Sequence, residues 1–348
     1  MEPDRSPRGG APRCVDAPGS AVPPASGPWP SPRHRINTWA AGLLVCGVAV
    51  IVGCRVADVD GYTPVPQLLA FLPWLLIPAG LGLLLAALAR HRALVVLAFL
   101  VLAVTGWYVQ PYGAASTHAR GPVVAPLRVL TSNVEFGRAT PDLIEAVRRE
   151  KPDLVFVQEC SPACAEALGT RLSRADYPYR RIVERRLAAG SAILSVHPLT
   201  LVTPGIPGEL AMPGAEALIG GRTVRLQLAH PLPPVPGGTG AWRRELDRVR
   251  AYAAGSRGTP TILAGDFNAS QDHAAFRRVL DAGSLHDSAR IAGASRTPTW
   301  PATVPRPLGA QIDHVLVSGD FGVTGVRFLD FADTDHRALL VDLELHGG

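Results

Sequence analysis

Six side chains define the chemistry open to this 348-residue sequence: Asn133, Glu159, Asp266, Asn268, Asp313 and His336. Each sits beside an apolar, branched run, and so near the end of an expected strand. Glu159 closes PDLVFVQE (Pro152–Glu159). A carboxylate there is costly if buried unpaired. A hard cation removes that cost, because Mg²⁺ prefers carboxylate oxygens and keeps waters for phosphate contact. An exposed strand-end acid is the plain alternative. Asp266 and Asn268 stand two apart after TILAG, where Gly265 permits an unusual turn that points both side chains into one mouth. An ordinary Asx-turn is the competing account. For His336, a neutral imidazole accepts a proton, and a carboxylate such as Asp313 on its far nitrogen fixes the tautomer. His230 ends RLQLAH, where a surface turn histidine is the alternative to a phosphate contact. The set suits metal-assisted attack of water on a phosphoester. A Ser nucleophile elbow is missing from GSAILS (Gly190–Ser195), which lacks G-x-S-x-G.

The elements that must carry these groups alternate. Strands are expected at Leu127–Val134, Pro152–Glu159, Gly190–Ser195, Arg222–Leu228, Pro260–Ala264, Gln311–Ser318 and Ala338–Leu345, with a short one at Gly325–Phe328. Helices are expected at Pro141–Glu150, where Leu143, Ile144 and Val147 share a face, and at Ala241–Ala254. Strand, helix, strand implies a layered α/β domain. His314, next to Asp313 on a strand, points to the opposite face and reads as structural. Glu135 matches no chemical pattern.

A different chain precedes this one. Apolar runs occupy Trp39–Cys54, Leu68–Ala87 and Ala93–Val109. About 20 apolar residues cross a bilayer core, so three spans are expected. Pro73 and Pro78 are tolerable in such helices. Trp107, Tyr108 and Tyr112 fall where an interfacial aromatic belt belongs. Arg33, Arg35 and the Arg90–Arg92 turn carry the positive flanks, which places them in the cytoplasm and everything after residue 112 outside. Residues 1–35 are rich in Pro, Gly, Ser and Arg and read as a disordered cytoplasmic tail. The resulting plan is tail 1–35, three-helix transmembrane module 36–112, linker 113–126 and α/β domain 127–348.

Net charge is +5, but from Gly121 onward 25 basic residues meet 24 acidic ones. That balance argues against a nonspecific nucleic-acid surface. Lysine is nearly absent, with Lys151 alone, which is compositional rather than functional. Cys160 and Cys164 are four apart, a weak metal signal without a second pair. A local disulfide is open to them in an oxidising compartment. Cys46 and Cys54 read as small buried side chains in the first apolar run.

The combination SNVEFG (Ser132–Gly137), PDLVFVQE, GDFNA (Gly265–Ala269), QIDHVLV (Gln311–Val317) and TDHRAL (Thr334–Leu339) resembles the endonuclease/exonuclease/phosphatase, or DNase I-like, superfamily over Leu127–Leu345. The resemblance implies a four-layer α/β/β/α sandwich. It implies Glu159 as principal metal ligand, joined by Asn133 and Asp335, with Mg²⁺ or alternatively Mn²⁺ as cofactor. Asp266 would orient or deprotonate water, and Asn268 would stabilise the phosphate. His336, oriented by Asp313, would be base or phosphate contact, and His230 would donate to a phosphate oxygen. Asn133 could instead hold a phosphate oxygen, and Arg244 a second phosphate. Three preceding apolar segments and HPLPP (His230–Pro234) make the layout similar to VanJ-like teicoplanin-resistance membrane proteins of actinobacteria. That layout implies a bilayer partner, a polyprenyl pyrophosphate substrate and a link to glycopeptide resistance, with no nucleic acid and no obligate protein partner. An extracytoplasmic nuclease or sphingomyelinase-like phosphodiesterase is the first alternative, and a membrane-anchored binding domain without catalysis the second.

Overall fold

The computed structural model describes residues 32–117 and 119–347, with the side chains of 201–204 also outside that set. The tail expected at 1–35 therefore lies almost wholly outside the described residues. The chain begins with helices α1 (Pro32–Val56), α2 (Val65–Ala70), α3 (Leu76–Leu88) and α4 (Arg92–Tyr108). A 3₁₀ turn, Leu72–Leu75, leads into α3. Helix α3 turns small residues, Ala79, Gly82 and Ala86, inward, so Gly82 packs directly on Val45 of α1. Close backbone approach through small residues is how apolar helices associate without a hydrophobic drive between them.

Of the three spans expected, one reaches full length. Helix α1 has 25 residues and is long and apolar enough to cross a membrane. The other two apolar helices, Leu72–Leu88 and Arg92–Tyr108, fall short of that test. The 17 residues of α4 rise only about 26 Å, against a hydrocarbon core of about 30 Å. The second run is shortened because the chain breaks at Phe71, ahead of Pro73, and sends Leu68–Ala70 into α2 instead. The aromatic belt is also corrected. Trp107 is exposed, but Tyr108 stacks under the Arg55 guanidinium and Tyr112 hydrogen-bonds to Asp281 of the following domain. Cys46 faces outward rather than inward.

Beyond residue 120 the order is β1 (Val123–Asn133), α5 (Thr140–Glu150), β2 (Leu154–Gln158), α6 (Pro162–Arg171), β3 (Tyr179–Val183), β4 (Ser191–Ser195), β5 (Leu199–Ile206), β6 (Met212–Ile219) and β7 (Arg222–Ala229). Then come α7 (Thr239–Gly255), β8 (Thr261–Asp266), α8 (Ala274–Gly283), β9 (His286–Asp287), α9 (Ser288–Ile291), β10 (Asp313–Val317), β11 (Phe321–Leu329) and β12 (Ala338–His346). They form two six-stranded sheets, ordered β11-β12-β1-β2-β4-β3 and β5-β6-β7-β8-β10-β9. Each sheet has a parallel pair at its centre, β1 with β2 and β7 with β8, flanked by antiparallel partners.

Period-two alternation builds the layers. Along β1, Val129 enters the core between the sheets while Leu130 enters the core under α5 and α6. Along β8, Ile262 and Ala264 face the other sheet, and Leu263 faces α7 and α8. Both faces of the central strands are buried, which is why they read as continuous apolar runs. Three stacked cores make an α/β/β/α sandwich. The linker expected at 113–126 is shorter than that, because Val123–Pro126 already pair with β12. Pro126 is tolerated because β2 does not reach it: their ladder starts at Val129↔Leu154.

Candidate active site

The carboxyl ends of β1, β2, β7 and β8 and the amino ends of β10 and β12 all reach one edge of the sandwich. Asp266 ends β8, and its register partner on β10 is Asp313. Gly265 is required there. Its φ is +150°, and a side chain would strike the carbonyl oxygen of Ala229 on β7. Glu159 (φ +57°) and Asn268 (φ +48°) hold left-handed backbone that residues other than glycine rarely adopt, as do Glu135 and Phe136 beside them. Such conformations concentrate where geometry serves function.

The two sheets are joined at this edge through Asn133. Its amide NH₂ donates to Glu159 Oε1 and to Asp266 Oδ2, both at 3.2 Å. Its oxygen accepts from the Glu135 N–H at 3.0 Å. Asn133 is thus a donor between two carboxylates here, with its oxygen turned to the Glu135 N–H. His336 Nδ1 lies 2.9 Å from Asp313 Oδ2, the pairing expected from sequence. Its Nε2 lies 3.8 Å from Asp266 and 3.7 Å from Asp335. His230 Nε2 approaches Asp266 Oδ2 at 3.9 Å from the opposite side. Asn268 caps Asp266 with its backbone N–H at 2.8 Å, while its own amide donates to Pro231 O. Arg244 is not gathered into this group; it is exposed on α7 beside Gly240. His314 turns to the far face, where it bonds Asp287 and the Ala269 carbonyl.

Burial sets the electrostatics. It pushes the Asp266 carboxyl up to about 7, with Asp313 adding to the rise and the His336 charge opposing it. Burial opposes the His336 cation too, but Asp313, Asp266 and Asp335 outweigh it and push the imidazolium up to about 10. His230 is pushed down to about 3 by burial and then by His336, so it is a neutral imidazole and its approach to Asp266 is not an ion pair.

Several residues that the sequence reading assigned no role complete the site. Thr334 bonds the Asn133 carbonyl at 3.0 Å and accepts from the His336 N–H at 3.1 Å. Thr299 Oγ1 accepts from the backbone N–H of Ile312 and Asp313, fixing the start of β10. Trp300 donates its indole N–H to Asp335 Oδ2 at 2.8 Å. Glu135 accepts from the Asp335 N–H and pairs with Arg138. These partners are contributed by loops far apart in sequence, so only the fold could reveal them.

The donor set fits a hard divalent cation. Asp266, Asp313 and His336 can each present a ligand atom within 4.8 Å of one another, with Glu159 and Asp335 alongside. Asp313 Oδ1 is buried with no hydrogen-bond partner. Crowded carboxylate oxygens and an orphaned acceptor suit a hard, oxygen-preferring cation better than a soft metal.

Acids, amides and histidines gathered at one strand-end edge of a two-sheet sandwich form a set able to hold a hard cation beside a phosphoester. The sequence model of the Endonuclease/Exonuclease/phosphatase family matches residues 130–336, more than half of the chain. The chain belongs to this family, and its members are phosphoester hydrolases. Solved structures agree on the fold. A D. rerio TDP2 complexed with single-strand DNA product is 16% identical, with TM-score 0.51, covering 63% of this chain and 99% of that one. A humanised D. rerio TDP2 is 15% identical, with TM-score 0.50, covering 63% and 98%. Sphingomyelinase C from Streptomyces griseocarneus is 17% identical, with TM-score 0.46, covering 63% and 99%. At such identities the two TDP2 likenesses establish the fold alone, and the sphingomyelinase likeness, with its lower TM-score, adds nothing to that. No curated protein sequence matches the chain.

Proposed function

We propose that this protein is a membrane-anchored, Mg²⁺- or Mn²⁺-dependent hydrolase of lipid-linked phosphates, with a polyprenyl pyrophosphate as the favoured substrate. The observation that carries the reading is where the anchor touches the domain. The connection between α1 and α3 packs beside the catalytic edge: Phe71 lies against Trp300, whose N–H holds Asp335. Pro66 O contacts His273 Nε2 at 2.8 Å, and Gln67 donates to Pro234 O in the loop after His230. The site therefore opens beside the apolar helices rather than away from them.

All three helices are read as lying in the bilayer. Support comes from their outward faces, where Trp39, Leu43, Val50, Ile77, Leu84, Val96, Phe99 and Leu100 are exposed. Helices shorter than the core are accommodated by local thinning at modest cost. The carboxyl end of α1, the amino end of α3 and the carboxyl end of α4 share the end that meets the domain. Arg90–Arg92 lie at the other, which favours a cytoplasmic turn and an extracytoplasmic domain. The Cys160–Cys164 disulfide, one residue after Glu159, agrees with an oxidising compartment.

In the reaction, a divalent ion bound by Glu159 and Asp335 would polarise phosphoryl oxygens. Asp266, near 7, accepts the proton of the attacking water. His336, held cationic by Asp313, donates from Nε2 to a phosphoryl oxygen. Neutral His230 and the Asn133 amide contact the remaining oxygens. Arg244 would meet a second phosphate only by swinging in from the surface.

The test is hydrolysis by full-length protein in detergent with Mg²⁺, offered undecaprenyl pyrophosphate, sphingomyelin and plasmid DNA. Phosphate release from the prenyl lipid is expected, and DNA cleavage without it refutes the reading. A reporter fused after Gly348 is expected to be active outside the cell; cytoplasmic activity overturns the orientation. The proposed link to glycopeptide resistance predicts reduced teicoplanin susceptibility on expression in a susceptible host, lost in His336→Ala.

A further inference from the structure

A cavity of about 290 Å³ lies between the anchor and the catalytic edge. Pro66 and Phe71 form one wall, from α2 and its exit, and Pro234 and Val235 form the facing wall. Trp300 and Asn268 line it on the site side. The walls are almost wholly apolar, yet the cavity shares Asn268 with the active site, and Trp300 bonds Asp335. Phe71 also leads directly into the turn before α3, so this wall of the cavity is joined through the chain to the apolar bundle. A larger cleft of about 500 Å³ on the other side of α2 is lined by Arg296, Arg306 and Asp287 and contains none of the catalytic residues.

An apolar slot with a phosphate-handling edge on one side and apolar helices on the other matches one ligand chemistry. We infer that the slot holds the first hydrocarbon segment of a single-chain lipid phosphate, next to its scissile phosphate. Its volume lies at the lower bound of ligand pockets, roughly 300 Å³, which suits one chain better than a diacyl pair. Val235, half exposed at the rim, meets the incoming chain. The preference is therefore for prenyl-type phosphates over diacyl phosphates. This inference rests on the proposed lipid-phosphate reading, and its test separates the two.

The probe is a prenyl monophosphate carrying a diazirine on its first isoprene unit, added to full-length protein in detergent with chelator so that no turnover is needed. Photolysis and peptide mapping are expected to place the label in 66–71 and 233–236. Polyprenyl phosphate should compete, and phosphatidic acid should not. Val235→Asp, which sets a carboxylate at the rim, should reduce labelling about tenfold and lower by a similar factor the ratio of kcat/KM for long-chain over short-chain prenyl pyrophosphate. Label confined to the outward faces of α1, α3 and α4, equal competition by phosphatidic acid, or a Val235→Asp protein that labels normally overturns the slot. A labelled slot without phosphate release sinks the hydrolase reading alone. Phosphate release with no label in the slot sinks this inference alone.

Discussion

Asp313→Asn isolates what the carboxylate behind His336 contributes. The substitution keeps the shape and removes the charge that most strongly raises the His336 imidazolium to about 10. At pH 8 a group of pKa 10 is about 99% protonated, and one returned to the ordinary histidine value near 6.5 is about 3% protonated. In the variant burial still lowers the imidazolium while Asp266 and Asp335 still raise it, so a return to the ordinary value corresponds to a loss of roughly thirtyfold in kcat/KM at pH 8. The shape of the pH response distinguishes this from simple damage. In the parent, activity rises as Asp266 ionises near 7 and falls only near 10. In the variant the alkaline limb moves down from 10 toward the ordinary histidine range, so lowering the pH from 8 to 7 costs it less activity than it costs the parent, which loses about half. The assay is phosphate release against pH for both proteins, with circular dichroism as a check on folding. An alkaline limb unmoved near 10, or a loss of equal factor at every pH, refutes the assignment of His336 as a cationic donor.

Three further outcomes are expected. His230 is held near 3 when folded and titrates near 6.5 when unfolded, so its contribution to stability is full above about 6.5 and is lost as pH falls toward 3. His230→Asn should therefore flatten the fall in unfolding free energy between pH 6.5 and 4 by up to about 1.4 kcal/mol per pH unit; an unchanged slope removes the neutral-histidine account. Arg296 pairs with buried Asp272 at 2.6 Å and also holds the carbonyls of Tyr108 and Val109, so Arg296→Ala should cost about 3–5 kcal/mol in thermal or denaturant unfolding. A cost below about 1 kcal/mol would place that pair among the exposed ones of little consequence. Gly265→Ala forces a methyl group against the Ala229 carbonyl at a φ of +150° and should destabilise by about 3 kcal/mol or more while also lowering activity; wild-type stability would contradict the close approach.

The sequence made the central strands legible because burial on both faces writes itself as a continuous apolar run ending in a polar group. LTSN, FVQE, LAGD and IDHV each announced a strand and its functional end. The pairing of His336 with Asp313 was legible for the same reason. Strands β3, β5, β6 and the two-residue β9 escaped: Tyr179–Val183 is largely half exposed, and β6, though mostly buried, is built on Pro213, Gly214 and alanines rather than on a branched apolar run. The orientation of Asn133 could not be read, because it is decided by the Glu135 N–H in a left-handed turn. Arg244 was misplaced because sequence spacing at a helix start does not say which face meets the site. Apolar content also overstated the second span, because the break at Phe71 depends on where α2 docks.

That docking is held by more than apolar contact. Asp60, buried in the connection after α1, accepts from the Ala275 N–H at 2.7 Å and so caps α8 from another part of the chain. Asp58 pairs with Arg277, and Arg55 lies 3.5 Å from Asp272. Anchor and domain thus share caps and ion pairs, and neither can pivot without leaving buried charge behind. With the helices in a bilayer, the catalytic edge would sit at one set height above the hydrocarbon and work as a depth gauge. Headgroups at that level would be processed as they drift past in the plane, and the shortened lipid would leave sideways without ever entering water.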